Sequence, residues 1–584
     1  MADGNKAFPR SNSGLVRSIG PVTAVLVALL CAMGGWWQIW VFEPAGLGPL
    51  PENLWLDGIP PEVMALVLGG LIFITLMLGF AILTSAMPRS GGGYVAISRI
   101  LGPFAGFIGS WFEFLFAAGW VGVLAAVILG YAFYNVGPAL AMSGIANLPP
   151  YNDVGFTLGG SLVVVVATAV VASGVRITSL ILKALAVFLA ATGFYALCLL
   201  GVAIANPTVL QNGISAWAQG HGIAGVTADT YVKAALAQGL DAANVGNYWT
   251  AVSVSLLGAY FFYVGYAATT FVAGEVKEPA KNFPRALLLG PITVMIAAVT
   301  IATLGLYAAS GVGQTVLANG NRWSFYDAYS YLSWNGAPSL TTAKLPDFGE
   351  FYPNLTSMVG MGLGLGSLNV IILAFSTLLI FADLVAMILV GSRLVFAMSF
   401  DGMLPRSLSR VDGRFHSPFS AVIFIGVLAV AIGVGAQTCV FCNGGSWRLS
   451  GPIGDALNVA FTDGFYFIEP WDIIFFTLFS FAVVLFPFRL KKVFDLAPFK
   501  PGGKTGVVVI GLAGIIGNLI VAWVVLTPPY FAYTLLSPTP DSWYILEFTL
   551  LVGVVGTLVY VYYRFGPPSK RIEHSTIFSN VPPE

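Results

Sequence analysis

Two short interruptions in otherwise apolar stretches carry the backbone chemistry of this chain. The first is Gly34-Gly35-Trp36-Trp37 within ALLCAMGGWWQIWVF, and the second is Tyr263-Val264-Gly265-Tyr266 within YFFYVGYAATTFVAGEVKEPAKNFPR, residues 260–285. In a lipid-embedded helix every N–H and C=O needs an internal partner, so a glycine-centred break at mid-depth is tolerated where it lines a cavity. The groups freed there are useful: N–H groups at a half-helix N-terminus suit a carboxylate, and unwound carbonyls suit an ammonium. Two acids lie within apolar runs, where an ionised carboxylate is costly enough to be read as functional. Asp383, in LLIFADLVAMIL, follows Ser376 by two helical turns, and Thr377 lies beside that serine. Glu113 stands in GSWFEFLFAAGW, about nine residues into its run.

The elements that hold these groups follow from composition. The chain is 57% hydrophobic and 9% charged, against about 25% charged in an ordinary soluble domain, which makes it a polytopic membrane protein. Runs long enough to cross the ~30 Å hydrocarbon layer are predicted at 19–42, 63–87, 104–134, 155–172, 179–204, 249–274 and 286–309, then at 363–398, 421–435, 465–488, 506–526 and 544–563. The first is too long for a signal-peptide core and is read as a spanning helix. Twelve spans place both termini on one side. Basic residues say which side, because Lys and Arg concentrate in cytoplasmic loops. With the N-terminus inside, only Lys233, Arg322, Lys344 and Arg448 of the 26 fall outside, whereas Glu43, Asp57, Asp153, Asp327, Asp347, Asp472 and Asp541 lie on the outer face. The net charge of zero thus hides a charge asymmetry across the membrane, and nothing in it suggests a nucleic-acid partner.

Corresponding breaks in the first and sixth spans point to inverted repeats with a site between them. The expected fold is an all-α membrane protein: twelve transmembrane helices, a five-plus-five inverted repeat with broken helices 1 and 6, plus two C-terminal helices. Its boundaries are a cytoplasmic tail at 1–18, a first half at 19–205, an extracellular loop at 206–247, a second half at 248–488, the last two helices with their preceding loop at 489–564, and a cytoplasmic tail at 565–584. The longer outer segments, 206–247, 311–355 and 437–463, are read either as solvated connectors or as partial cover over an outward vestibule. Cys439 and Cys442 form a CxxC in the last of these, read as a local disulfide or free thiols, since no further Cys or His stands near to complete a metal site. His221, His416 and His574 fall in loops or tails, which excludes a histidine proton relay at membrane depth. No complete Gly-x-x-x-x-Gly-Lys-Ser/Thr nucleotide motif, no nucleophile with a base and no cofactor-binding pattern appears, so an enzyme is not expected.

Three segments resemble the signatures of the amino acid, polyamine and organocation (APC) transporters. Met87-Pro-Arg-Ser-Gly-Gly-Gly-Tyr94, with Leu101-Gly-Pro103 and Gly106-Phe107 after it, is similar to that family's PxSGGxY…LGPxxGF. Phe262 through Glu275, Lys277, Pro279, Asn282 and Pro284-Arg285-Ala286 is similar to its FxxxGF…EExKNPxRNxPRA. Ser392-Arg393, Ala397-Met398, Asp401-Gly402 and Leu404-Pro405, then Ser417-Pro418, resemble its SRxxxAMARDGxLP…TP. The resemblance implies alternating access in the cell membrane with substrate held at the two breaks. Gly34 and Gly35 would present N–H groups to an amino-acid carboxylate, with Trp36 beside them. Tyr263, Val264 and Gly265 would offer carbonyls to the amine, with Tyr266 adjoining.

In that fold the eighth helix faces the first near a cation site. Asp383 with Ser376 and Thr377 would therefore bind Na⁺ or carry a proton, with Glu113 as a second candidate for coupling. Lys183 is read as snorkelling to water, and Glu275, Lys277 and Lys281 as contacts of an inner gate. The family's small residues in the first span are replaced here by Gly-Gly-Trp-Trp, which leaves the particular amino acid open. The expectation is a secondary active amino-acid transporter coupled to H⁺ or Na⁺. An exchanger or a polyamine carrier on the same fold, and a non-transporting membrane sensor or assembly subunit, are the alternatives.

Overall fold

The computed structural model describes residues 15, 17–33, 48–146, 153–263, 265, 267–335, 354–434, 469–526, 533–534, 537–538 and 540–566. The main helices among them are α1 (Pro21–Met33), α2 (Pro61–Ala86), α3 (Gly92–Ile100), α4 (Pro103–Tyr131), α5 (Asp153–Ala172), α6 (Val175–Ala205), α7 (Pro207–Gly220), α8 (Ala228–Gln238) and α9 (Tyr248–Tyr263). They continue with α10 (Ala268–Phe271), α11 (Pro279–Ser310), α12 (Phe325–Asn335), α13 (Leu355–Gly362), α14 (Gly366–Phe400), α15 (Phe419–Leu428), α16 (Glu469–Arg489), α17 (Gly503–Leu526) and α18 (Pro540–Phe565). Among the described residues, eight helices are long and apolar enough to cross a membrane: α2, α4, α6, α11, α14, α16, α17 and α18. Shorter apolar helices run through α1, α5 and α15, and the 16-residue α9 ends at the break.

Local sequence sets the helix starts. Proline opens α2, α4 and α11, where its missing N–H costs nothing and its fixed φ is already helical. Burial then sorts the helices. The most apolar window of α4 is 83% buried inside the protein, whereas that of α18 is 11% buried, so α4 is core and α18 is periphery facing lipid. Helix α6 also carries an apolar outer face, with Leu180 and Phe194 about 70% exposed. Helix α14 is buried continuously from Ala382 to Phe400 and packs along α4, with α1 and α6 also against it. The bundle end that carries Ile19, Arg99 and Asp401 is termed basal, and the opposite end apical.

The described parts of two of the three outer segments are folded rather than loose. Helices α7, α8 and α12 and a hairpin of β1 (Thr315–Val316) with β2 (Arg322–Trp323) form an apical cap. It encloses Trp217, Tyr231 and Trp323, each almost fully buried. Asp241 ties it together, accepting from Asn319 Nδ2 (2.9 Å), Asn321 Nδ2 (2.6 Å) and Trp323 Nε1 (2.9 Å). These three bonds hold its carboxyl below the usual carboxylate range. The solvated-connector reading is therefore wrong for the described parts of 206–247 and 311–355, because amphipathic turns there bury their aromatic faces against one another. Segment 437–463, with Cys439 and Cys442, lies outside the described residues.

Candidate substrate and coupling site

The break in the sixth-span region is visible in the backbone. Helix α9 stops at Tyr263, Gly265 adopts φ +98°, and a single turn, α10, begins at Ala268. A left-handed φ of this kind is open to glycine and strained for a side chain with a Cβ. Tyr263 is fully buried and its hydroxyl donates to the Leu66 carbonyl (2.9 Å), which pins the end of α9 to α2. Past the break, Thr269 Oγ1 donates to the Ala24 carbonyl (2.7 Å), joining α10 to the first turn of α1. Val264 and Tyr266 lie outside the described residues, as do Gly34, Gly35 and Trp36. Helix α1 is described up to Met33, directly before that glycine pair.

The three sequence signatures meet at the basal end. Ile19 N–H donates to Glu275 O, and Lys277 N–H returns to Ile19 O, both at 2.9 Å, so the strand leaving the break pairs with the chain entering α1. Gly91 N–H donates to the Phe271 carbonyl (2.9 Å). Gly92, at φ +27°, approaches so closely that a Cβ would sit 2.6 Å from Thr270 O. The Glu275 carboxylate receives a forked contact from Arg393, Nε to Oε1 at 2.9 Å and Nη2 to Oε2 at 3.2 Å, with both side chains buried. Beside it Asp401 accepts from Arg99 Nη2 (3.0 Å) and from the Tyr94 hydroxyl (2.8 Å). Glu275 is thus part of a buried basal clamp. Lys281, in contrast, makes only an exposed 3.8 Å contact with Glu278.

The residues expected to couple transport are separated. Asp383 and Ser376 are buried on α14, and Glu113 is buried on α4. Gly391 of α14 faces Ala117 of α4, where its missing Cβ would lie 3.4 Å from the alanine methyl. The two helices run antiparallel, as the Arg99–Asp401 pair at their shared basal end requires. Glu113 therefore lies one turn basal of the crossing and Asp383 two turns apical, roughly 18 Å apart along the axis. Ser376 neighbours the Tyr131 hydroxyl, which accepts from Asn354 Nδ2 (3.0 Å). Thr377 is half-buried and bonds back to the Leu373 carbonyl (2.9 Å), so its hydroxyl serves its own helix. Lys183 is exposed on α6, where the snorkelling reading placed it.

A set of acids at the apical end was not anticipated. Asp327, read from sequence as a surface acid, is 2% exposed, and Glu62 in the first turn of α2 is 5% exposed. Asp327 accepts from Ser324 N–H and Oγ, both 3.0 Å. The hydroxyls of Tyr326 and Ser255 neighbour Glu62. Burial, then the charge of Glu52, pushes the Asp327 carboxyl well above the usual range, and burial likewise raises Glu52. The only sequence signal was faint: Asp327 follows Ser324 by three residues, a helix-start spacing, amid aromatic residues.

Comparison with known proteins follows the same lines. The model of a family described as "Amino acid permease" matches residues 41–555. A branched-chain amino acid permease, BcaP, of Lactococcus lactis is 24% identical over 382 residues, covering 64% of this chain and 68% of its own length. An uncharacterised transporter of Mycobacterium tuberculosis is 26% identical over 61% of this chain and 62% of its own length. The methylthioribose transporter of Bacillus subtilis is 24% identical over 72% of this chain and 75% of its own length. The structure of MhsT with L-phenylalanine overlays 88% of this chain and 99% of its own at 15% identity, with a TM-score of 0.47. Since the family match takes in every element of the basal clamp except the segment entering α1, the chain belongs to the amino acid permeases of the APC superfamily, membrane transporters rather than enzymes.

Proposed function

We propose that the protein is a secondary active amino-acid transporter that works by alternating access, with its substrate held where α9 breaks against α1. The observation that carries this reading is the interruption from Tyr263 to Ala268 with Gly265 at φ +98°. It interrupts the helical hydrogen-bond ladder inside the bundle, where backbone groups freed by a break need a polar partner. Gly34 and Gly35, continuing from α1, supply N–H groups to the carboxylate, and the Tyr263–Gly265 carbonyls take the amine. The basal end is cytoplasmic, both termini lie there, and twelve spans form a five-plus-five inverted repeat with two further helices. Asp383 takes the coupling H⁺ or Na⁺.

Counterflow of labelled amino acids in proteoliposomes, with and without H⁺ and Na⁺ gradients, tests the reading. Branched-chain and aromatic amino acids, polyamines and methylthioribose form the competitor panel. Competition by free amino acids but not by their methyl esters or decarboxylated amines supports a site built for both ends of the ligand. Equal competition by amines overturns it in favour of an organocation carrier. Failure of every solute to exchange, in protein that remains monodisperse, overturns transport itself.

A further inference from the structure

A groove of about 720 Å³ runs between α5 and α15 on the membrane face of the bundle, away from the substrate break. Its walls run from Val164 to Ser173 on α5 and from Phe415 to Ala431 on and around α15. They are apolar apart from two hydroxyls. Ser173 Oγ is used by the Val170 carbonyl (2.7 Å), whereas Thr168 Oγ1, 7% exposed, has no hydrogen-bond partner among the described residues. Gly426 makes the depth, since a Cβ there would come within 2.5 Å of Thr168 Oγ1. The nine-residue rise from Val164 to Ser173 spans roughly 14 Å, about half of the ~30 Å hydrocarbon layer. The groove therefore has the length of one leaflet.

Its basal mouth is positively charged. Phe415 forms the rim and is held there by two turns. Asp412 Oδ1 accepts from Arg414 N–H (2.8 Å) and Phe415 N–H (2.9 Å). On the other side the Phe415 carbonyl packs on Gly174, where any Cβ would collide with it. The Arg414 guanidinium lies over the Phe415 ring at 5.1 Å. Arg176, two residues beyond Gly174 at the start of α6, is exposed, as are Arg406 and Arg410 in the segment leading to Arg414. The one acid on this rim, Asp412, is held below the usual carboxylate range by the two N–H groups it binds.

We propose that this groove is a binding site for an anionic phospholipid, with one acyl chain between α5 and α15 and the phosphate at Arg414 and Arg176. A slot one leaflet long with an apolar floor and a cationic rim matches that molecule at both ends. Arginine also suits phosphate through its forked donors. A second copy of the chain fits less well, because a two-fold contact across this face would set one arginine rim against another. The site is independent of the transported solute and of the coupling ion.

The test uses the full-length protein in nanodiscs of phosphatidylcholine containing either photoactivatable phosphatidylglycerol or photoactivatable phosphatidylcholine, with adducts mapped by peptide mass spectrometry. Adducts should concentrate on residues 164–173 and 415–431 and be stronger with the glycerol lipid. Arg176→Gln with Arg414→Gln, both exposed and so compatible with folding, should lower the anionic-lipid yield about fivefold for each arginine removed, and lower the choline lipid, whose phosphate is offset by its own trimethylammonium, by less. Val427→Trp, on the exposed wall, should reduce both lipids by filling the slot. Equal labelling by the two lipids in the wild type, or an unchanged preference in the double arginine variant, would overturn the proposal. So would cross-links between two copies through this face in place of lipid adducts.

Discussion

The buried Glu275–Arg393 pair predicts an unusual order of stabilities among single and double variants. Its side chains are 1% and 0% exposed and meet at 2.9 and 3.2 Å. Glu275→Met removes the carboxylate and leaves the guanidinium with a neutral partner, the Ser392 hydroxyl (3.1 Å). Stranding a buried charge in this way costs about 3–5 kcal/mol, on the order of 10²–10⁴-fold in the folding equilibrium. Arg393→Met should cost a similar amount by stranding Glu275. Removing both charges with apolar side chains of similar volume, Glu275→Met with Arg393→Met, should recover much of that loss, since apolar replacement of a buried pair is often close to neutral. A membrane protein of this size unfolds irreversibly, so the measurement is the rate of thermal inactivation in one detergent across the four proteins, read as a double-mutant cycle. Additive losses in the double variant would refute the reasoning, as would single variants that inactivate at the wild-type rate.

Gly265→Leu should abolish substrate binding, measured by scintillation proximity in monodisperse protein, because a branched side chain would crowd the break and resist φ +98°; wild-type affinity would remove the site from this break. Asp383→Asn should keep counterflow and lose gradient-driven accumulation, and unchanged accumulation with the same ion dependence would make Asp383 structural. Gly92→Ala should destabilise by more than about 1 kcal/mol, seen as faster inactivation, because its Cβ would press on Thr270 O at 2.6 Å. The apical cap should lose stability as pH rises. Asp327 has its folded-state pKa raised above an unfolded value near 3.8, so its contribution is complete below that value and is lost as pH climbs through the raised one. Asp327→Asn should flatten this dependence in hydrogen exchange of the segment 325–335, and an unchanged slope would assign it to another group.

The sequence disclosed what depends on chain-local rules. Lipid requires long apolar runs, so most helices could be placed to within a few residues, and a glycine among aromatic residues at mid-span marked the break that Gly265 forms. The signatures around Tyr94, Glu275 and Asp401 were equally readable as a pattern. Their purpose was not. Arg99 and Arg393 were counted among basic residues at a membrane edge, and only the fold shows that each meets an acid some 300 or 118 residues away in the chain. Long-range pairing also hid the apical acids, because a carboxylate such as Asp327 is made unusual by neighbours that arrive from other segments. Thr377 could be set beside Ser376 from the sequence, but that its hydroxyl donates to the Leu373 carbonyl one turn back is visible only in the fold.

Helix α14 has 35 residues, a rod of about 52 Å, and roughly 20 Å of it therefore extends past the ~30 Å apolar layer. Its apical end is fixed by Asn369, which receives the Tyr195 hydroxyl (3.3 Å) and donates to Ser357 O (3.2 Å), and its basal end carries Arg393 and the capping Asp401. A stiff body of that length is a lever. A tilt of about 10° around its midpoint would carry each end some 4–5 Å in opposite directions, enough to part a salt bridge at one face while closing space at the other. A single uninterrupted helix of this length would make the two ends of the bundle mechanically reciprocal, so that movement at one is answered at the other without a chain of side-chain relays between them.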